Sequence, residues 1–236
     1  MIKFSHITKR YGHGRQQKTT LDNVTLEIQR GEFVSVVGPS GAGKTTLILA
    51  LIGEKIDEGS ITVNNADITK ATPSELQEYR RHVGVVFQDY KLLPRKTVFE
   101  NIAFALEVCG YKKHDIAHLT TEAMRKTGIE EQRNQYPNEL SGGERQRTAI
   151  ARALVHAPEI LIADEPTGNL DEENARQIVE LLLKINREGT TIILASHNKE
   201  IVNQINRRVI KLKNGGVVSD QTPSASGAKR NEPAAN

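Results

Sequence analysis

Apolar and polar positions follow different patterns along this chain, and each pattern predicts a different kind of element. Residues 2–7 and 21–28 alternate between apolar and polar, with a polar, glycine-containing loop between them, which predicts two antiparallel strands. Short runs of apolar and β-branched residues at 33–37, 160–163 and 190–195 predict strands that are buried on both faces.

Most of the other apolar residues recur at helical spacing, which predicts helices over 45–52, 73–81 and 172–187. From about residue 89 to 156 this spacing is interrupted mainly by proline and glycine, so we expect a mostly helical insert. Strands that alternate with helices indicate a parallel sheet. The predicted fold is therefore α/β, with an N-terminal antiparallel β subdomain, a mostly parallel core sheet flanked by helices, and an inserted helical subdomain.

Composition limits the classes of protein to which the chain can belong. Of its 236 residues, 37% are hydrophobic and 26% are charged, which suits a sizeable core and is too hydrophobic for general disorder. The net charge of +3 is spread along the chain, so we expect no nucleic-acid partner. We find no apolar run of membrane-spanning length and no secretory signal, so we expect a cytosolic protein with Cys109 as a reduced packing residue.

The end of the chain differs from the rest. Residues 219–236 contain no Val, Leu, Ile or aromatic residue, so this segment has little apolar surface with which to offset the entropy of ordering. We therefore expect one domain over residues 1–218, with the helical insert at about 89–156, followed by a disordered tail over 219–236.

The strongest local motif lies between a predicted buried strand and a predicted helix. Gly38-Pro39-Ser40-Gly41-Ala42-Gly43-Lys44-Thr45 matches the phosphate-loop pattern G-x-x-x-x-G-K-[ST]. In such a loop, backbone N–H groups and a helix N-terminus converge on phosphate oxygens. We expect Lys44 to reach the β- and γ-phosphates and the Thr45 hydroxyl to coordinate Mg²⁺. The predicted nucleotide-binding residues of the loop are Gly38, Ser40, Gly41, Ala42, Gly43, Lys44, Thr45 and Thr46.

Two acidic residues follow the buried run at 160–163. Asp164 is placed at the carboxyl end of this predicted strand, where ligands bind in open α/β sheets, so we expect it to hold the metal ion. Glu165 is then positioned as the general base that polarises water. In isolation, two acidic residues after a strand are also compatible with a solvated turn, and the phosphate loop favours the functional interpretation.

A third motif, Ser141-Gly142-Gly143-Glu144, precedes Asp164 and opens a predicted helix. An exposed Ser-Gly-Gly sequence at a helix N-terminus is a second anion site, although alone it is also compatible with a flexible cap. In this order and spacing, the motif resembles the signature motif of ATP-binding cassette (ABC) ATPases. The resemblance implies a phosphate-loop ABC cassette whose helical insert carries the signature motif.

The resemblance extends to other positions and implies their roles. Tyr11 matches the aromatic residue that stacks on adenine, although a packing tyrosine at a strand end is the alternative. Gln88 matches the glutamine that contacts the metal and the attacking water, and His197 matches the histidine that contacts the γ-phosphate. Asp171, in the loop after Glu165, is expected to face a second subunit.

The resemblance also implies a homodimer in the ATP state. Two chains would face each other head to tail, so that Ser141, Gly142, Gly143 and Glu144 of one chain complete the ATP site at Lys44 of the other. ATP binding would then hold the dimer together, and hydrolysis would release it.

Within the family, residues 79–103 and above all 88–94 resemble a bacterial cell-division branch. The implied partner is a separate, FtsX-like integral membrane subunit, which would place this chain on the cytoplasmic face of the plasma membrane. We expect the partner to dock on Tyr90, Leu92, Leu93 and Val98, although these residues are also compatible with packing of the insert onto the core.

Three alternatives remain open from the sequence. An ATPase of a lipoprotein-release or efflux system would share every catalytic residue. A soluble ABC protein acting on DNA or ribosomes would carry long coiled coils, zinc hooks or two cassettes, and we identify none of these in the chain. A nucleotide-binding pseudo-ATPase is disfavoured by the presence of Glu165 and His197.

Overall fold

The computed structural model describes residues 1–12 and 14–223, apart from the side chain of Arg15. Its strands are β1 (Ile2–Tyr11), β2 (Lys18–Ile28), β3 (Phe33–Val37), β4 (Glu58–Val63), β5 (Ala66–Asp67), β6 (Val83–Val86), β7 (Ile160–Asp164), β8 (Thr191–Ser196), β9 (Arg208–Lys213) and β10 (Gly216–Gln221). Its α-helices are α1 (Lys44–Leu51), α2 (Pro73–Arg80), α3 (Val98–Val108), α4 (Lys113–Thr127), α5 (Gly142–Leu154), α6 (Glu172–Arg187) and α7 (Lys199–Ile205). Short 3₁₀ turns occur at Gly14–Gln16 and Pro137–Glu139.

The strands form two sheets, as predicted. A four-stranded antiparallel sheet has the order β2-β1-β4-β5, and a six-stranded sheet has the order β10-β9-β3-β8-β7-β6. In the larger sheet every neighbouring pair is parallel except β9 and β10. The carboxyl ends of β3, β7 and β8 therefore meet at one edge, which is where ligands bind in sheets of this kind.

Three hydrophobic clusters hold the layers together. The first joins the antiparallel sheet and α1 to one face of the larger sheet. The second packs α5, α6 and α7 against the opposite face. The third is the core of the helical insert, built from α3, α4 and part of α5. Because α5 contributes to the second and third clusters, the insert and the core share a helix.

The predicted boundary of the tail is wrong by three residues. Strand β10 continues from Gly216 to Gln221, and the guanidinium of Arg208 on β9 donates two hydrogen bonds of 2.7 Å to the carboxylate of Asp220. This ion pair and the backbone ladder order Ser219–Gln221 although the segment has no large apolar side chain. Residues 224–236 of the predicted tail lie outside the described residues.

Candidate active site

The phosphate loop joins β3 to α1 at the carboxyl edge of the larger sheet. Gly43 precedes the helix with a φ of 105°, and a Cβ at this position would lie 2.6 Å from the carbonyl oxygen of Thr20. Only glycine fits here without displacing β2. Ser40, Gly41 and Thr45 are exposed, whereas Ala42, Gly43, Lys44 and Thr46 are buried. The loop thus offers its backbone to solvent while its base is fixed in the core.

Lys44 is the buried cation of the site. Its Nζ donates hydrogen bonds to the carbonyl oxygens of Gly38 at 3.0 Å and Pro39 at 3.4 Å. The same atom lies 3.5 Å from Oε1 of Glu165. These contacts place an ammonium group under the loop and opposite a carboxylate, in a site with little solvent to screen either charge.

Thr45 and Asp164 form a pair of oxygen donors between α1 and β7. The Thr45 hydroxyl donates to Oδ2 of Asp164 at 2.9 Å, and the other oxygen, Oδ1, is buried without a hydrogen-bond partner in the described chain. Burial raises the pKa of Asp164, and the nearby Glu165 charge adds to this effect, whereas Thr45 and Lys44 oppose it. A buried carboxylate oxygen beside a hydroxyl fits Mg²⁺, which prefers oxygen ligands and keeps part of its water shell.

Glu165 is held in a tight turn immediately after β7. Its φ is 49°, a left-handed conformation that is rare for a residue other than glycine, and its N–H donates to the carbonyl of Ala195 at 2.9 Å. The backbone N–H of His197 donates to Oε2 of Glu165 at 3.2 Å, and His197 Nδ1 lies 2.8 Å from the same oxygen. The structure therefore brings Glu165 and His197 together, with Oε1 directed to Lys44.

Gln88 follows β6 and is exposed beside this turn. Its backbone carbonyl accepts a hydrogen bond of 3.3 Å from Asn169, and its Nε2 lies close to Gly168 in the turn after Glu165. The predicted catalytic residues Glu165, His197 and Gln88 thus occupy one edge of the sheet. Asn169 is a neighbour that the sequence interpretation did not single out, because a surface asparagine in a loop has no pattern of its own.

Tyr11 ends β1 and is 39% exposed. Its hydroxyl donates to Oε1 of Glu54 at 2.8 Å. Burial raises the pKa of Tyr11, and the bond to Glu54 raises it further, whereas a contact with the Thr46 hydroxyl opposes both effects. Tyr11 is therefore close to the phosphate-loop helix, as an adenine platform requires.

The signature motif lies against the loop that leads to Asp171, not against the phosphate loop of its own chain. Ser141 caps α5 and exchanges hydrogen bonds with Glu144, whose pKa is lowered by the Ser141 N–H. A Cβ on Gly142 would lie 3.3 Å from the side chain of Leu170, and one on Gly143 would collide with Asn174. Asn174 in turn donates to Asp171, the N-cap of α6, at 2.7 and 2.9 Å.

The four predicted docking residues differ in burial and in the cluster that they contact. Val98 is fully buried in the core of the helical insert, so its prediction as a docking residue is wrong. It occupies the first turn of α3, where its apolar side chain faces α4 and α5. Tyr90 and Leu92 are half-buried against the second cluster, whereas half-buried Leu93 belongs to none of the three clusters of described residues.

Two polar residues shape this segment and were missed in the sequence. Buried Asn101 accepts a hydrogen bond from the N–H of Leu93 at 2.7 Å and donates to three carbonyls of the same loop, at 3.1, 2.8 and 2.9 Å. Arg152 of α5 donates to the carbonyls of Tyr90 at 2.8 Å and Lys91 at 2.6 Å. The one sequence signal that could have identified them is their occurrence at otherwise apolar helix positions.

Comparison with known proteins places this geometry in a family. The family model described as ABC transporter matches residues 21–168. The chain is 49% identical over 223 residues to the cell division ATP-binding protein FtsE of Streptococcus pneumoniae serotype 2, covering 94% of this chain and 96% of that protein. It is 44% identical to the protein of the same name from Bacillus subtilis, with the same coverage.

A solved structure supports the same relationship. The ATP-binding cassette MJ0796, in a dimeric post-hydrolysis state bound to ADP and Pi, superimposes with a TM-score of 0.88 and 35% sequence identity. The match covers 95% of this chain and 99% of that chain. Among residues 1–12 and 14–223, we find no helix with the length and apolar character needed to cross a bilayer.

Proposed function

The chain belongs to the ABC transporter family as an ATP-binding, ATP-hydrolysing cassette, and we propose that it is the ATPase subunit of a cell-division membrane complex. The observation that carries the hydrolytic part is the contact of Glu165 with Lys44 at 3.5 Å and with His197 at 2.8 Å, directly beside Asp164. The division role rests on the similarity to FtsE proteins over nearly the whole chain.

The proposed chemistry is attack of water on the γ-phosphate of ATP, giving ADP and phosphate. Lys44 and the N–H groups of residues 38–46 bind the phosphates and stabilise the charge that develops on them. Glu165 orients the water and accepts its proton, and His197 fixes the carboxylate through Oε2 while it approaches the γ-phosphate. We expect Gln88, which lies beside the turn after Glu165, to contact the same water.

Magnesium is the ion that these residues would hold with the nucleotide. When bound, Mg²⁺ neutralises phosphate charge and polarises the γ-phosphoryl group. The Thr45 hydroxyl, the Asp164 carboxylate and the Gln88 side chain would supply the protein's oxygen ligands. The raised pKa of Asp164 reflects the burial of a carboxylate that a cation would compensate.

Two chains complete the site. The signature residues Ser141, Gly142, Gly143 and Glu144 act on the ATP bound to the opposite chain, and Asp171 faces that chain. In the hydrogen bonds and ion pairs of the described residues, none joins residues 141–144 to residues 38–46 of the same chain, which supports a role in trans. ATP binding therefore brings two copies together, and hydrolysis separates them.

This cycle of association and separation moves an FtsX-like integral membrane subunit, which controls cell-wall hydrolysis during division. The cassette is then peripheral, on the cytoplasmic face of the plasma membrane. The partner docks beside Gln88, on the surface that includes Tyr90, Leu92 and Leu93. Arg152 binds the backbone of this surface to helix α5, which the signature motif opens. A movement of the bound partner would therefore shift α5 and change its contact with ATP.

A depletion experiment tests the division role. Cells that lack the native protein are complemented with the wild type or with Glu165→Gln, and both division and lipoprotein sorting are measured. We expect the variant to be present at normal level yet to leave cells undivided, with lipoproteins correctly sorted. Normal division with missorted lipoproteins would instead assign the chain to a lipoprotein-release system.

A further inference from the structure

Lys9 and Glu54 enclose Tyr11, and neither takes part in the mechanism described above. Lys9 Nζ lies 4.8 Å from the centroid of the Tyr11 ring, and the Tyr11 hydroxyl donates to Glu54 at 2.8 Å. Lys9 is itself fixed, because its Nζ donates to the carbonyl of Lys55 at 2.6 Å and lies 3.7 Å from Oε1 of Glu54. One carboxylate oxygen thus orders both the ring and the cation beside it.

Lys9 and Tyr11 differ in solvent exposure. The Lys9 side chain is only 14% exposed, whereas Tyr11 as a residue is 39% exposed. Lys9 and Tyr11 are two positions apart on β1, so they lie on the same side of that strand. The ammonium group therefore covers one face of the ring, here called the inner face, while part of Tyr11 stays exposed to solvent; the opposite face is called the outer face.

We propose that Lys9 and Glu54 are positioning residues that prepare Tyr11 to stack on the base of the nucleotide. This inference rests on the proposed ATP-binding function and adds two residues to it. Glu54 fixes the ring by holding its hydroxyl. Lys9 supports the ring from below and draws π-electron density toward its inner face, so that the outer face stacks better on an electron-rich purine.

The arrangement also restricts what Tyr11 can recognise. Since its hydroxyl proton is used by Glu54, Tyr11 contributes its ring face and not a hydrogen bond to the base edge. Stacking accepts any purine, because each presents a π-face. Lys9 therefore strengthens binding of ATP and GTP by similar factors and has no effect on a ligand without a base.

Binding measurements with two ligands test this. The dissociation constants of Mg-ATP and of inorganic tripolyphosphate are measured for the wild type, Lys9→Met and Lys9→Arg. We expect Lys9→Met to weaken ATP binding by about three- to tenfold and to leave tripolyphosphate unchanged, with KM raised and kcat retained. Lys9→Arg keeps a cation and should restore most of the ATP affinity. Lys3→Met, at the exposed start of the same strand, is the matched control.

A double-mutant cycle separates positioning from a structural effect. In a Tyr11→Ala background, Lys9→Met should cause no further loss of ATP affinity, because the ring through which it acts is absent. Tyr11→Phe and Glu54→Gln give independent variants should Lys9→Met fail to fold, and each should weaken ATP about twofold or more without changing tripolyphosphate.

Three results would overturn the proposal: an unchanged ATP affinity in Lys9→Met, an equal loss for tripolyphosphate, or a full additional loss in the Tyr11→Ala background. Failure of the wild type to bind either ligand would instead refute the proposed ATPase function. The two failures are therefore distinguishable.

Discussion

At the scale of single residues, Oε2 of Glu165 contacts His197 and Oε1 faces Lys44, and we expect hydrolysis to depend on this arrangement. Glu165→Gln keeps the shape of the side chain and removes the carboxylate that acts as general base. We therefore expect Mg-ATP to bind normally and turnover to fall by about 10²- to 10³-fold. Steady-state hydrolysis and nucleotide affinity are measured together. Lys44→Ala is the contrast, because it removes the phosphate-binding cation and should weaken binding itself. Retention of near-wild-type hydrolysis by Glu165→Gln would contradict the assignment.

Asp164 links function to stability through its raised pKa. A carboxyl group with a higher pKa in the folded than in the unfolded state destabilises the fold once it is ionised. The penalty is absent below the ordinary pKa of 3.8 and grows as the pH rises through the raised pKa of Asp164. Asp164→Asn removes the buried charge, so it should raise the stability while abolishing Mg²⁺-dependent hydrolysis.

Thermal unfolding without nucleotide and with a chelator measures this effect. At about pH 8 we expect Asp164→Asn to have a higher Tm than the wild type, and at about pH 4 the difference should shrink. Glu173→Gln, an exposed change near the start of α6, is the control. A variant that is less stable than the wild type at both pH values would show that the carboxylate stabilises the fold.

Residue types and spacing were enough to predict which side chains meet at the site, but not their conformations. Lys44, Asp164 and Glu165 could be named because each follows or opens a recognisable element. The left-handed φ of Glu165 could not be predicted, because glutamate has no preference for this conformation. The prediction that Val98 docks a partner was wrong for another reason. In the sequence, an apolar residue after a loop is equally compatible with a surface contact and with a buried core position, and only the packing of the folded chain distinguishes them.

At the scale of elements, the segment from Gln88 to α3 is the predicted contact with the membrane subunit. Leu93 is half-buried, and buried Asn101 binds both its N–H and its carbonyl, so the backbone is fixed while the side chain is free of the three clusters of described residues. We expect Leu93→Glu to abolish co-purification with the membrane subunit and to leave ATP binding and Tm close to wild type.

Leu92→Glu is the comparison variant for this experiment, because Leu92 belongs to the same proposed surface but also packs against the core. Leu92 packs against the second hydrophobic cluster, so a charge there should lower the Tm. If Leu93→Glu instead lost stability and ATP binding together, the residue would belong to the packing of the insert. If a stable Leu93→Glu protein still bound the partner, the docking surface would lie elsewhere.

The ends of an element could be predicted where a pattern of apolar residues marked them. They could not be predicted where strand pairing and an ion pair hold a polar segment in place. Helix α6 has the predicted limits because its apolar stripe is complete and Asp171 caps it. Strand β10 extends into a polar segment because Arg208 binds Asp220 and lowers its pKa. Composition alone cannot detect an edge strand held by one ion pair and a backbone ladder.

At the scale of the whole molecule, the two halves of the proposed ATP site lie on different parts of the chain. The phosphate loop belongs to the core, whereas the signature motif opens α5, which is shared with the helical insert. Asn174 holds Asp171 beside Gly143, so the end of the catalytic turn and the signature motif move together. We therefore expect a conformational change at Glu165 to move the signature motif of the same chain, and so to alter its contact with the ATP bound to the opposite chain.

Such an arrangement predicts association that depends on the γ-phosphate. Glu165→Gln binds ATP without consuming it, so this variant should sediment as a dimer with Mg-ATP and mainly as a monomer with Mg-ADP. Ser141→Arg in the same background is the control, because it obstructs the motif proposed to act in trans and leaves the phosphate loop intact. This variant should bind ATP and stay monomeric. Equal dimer content with ATP and ADP would refute the head-to-tail model. A dimer that persists in Ser141→Arg would place the interface on another surface.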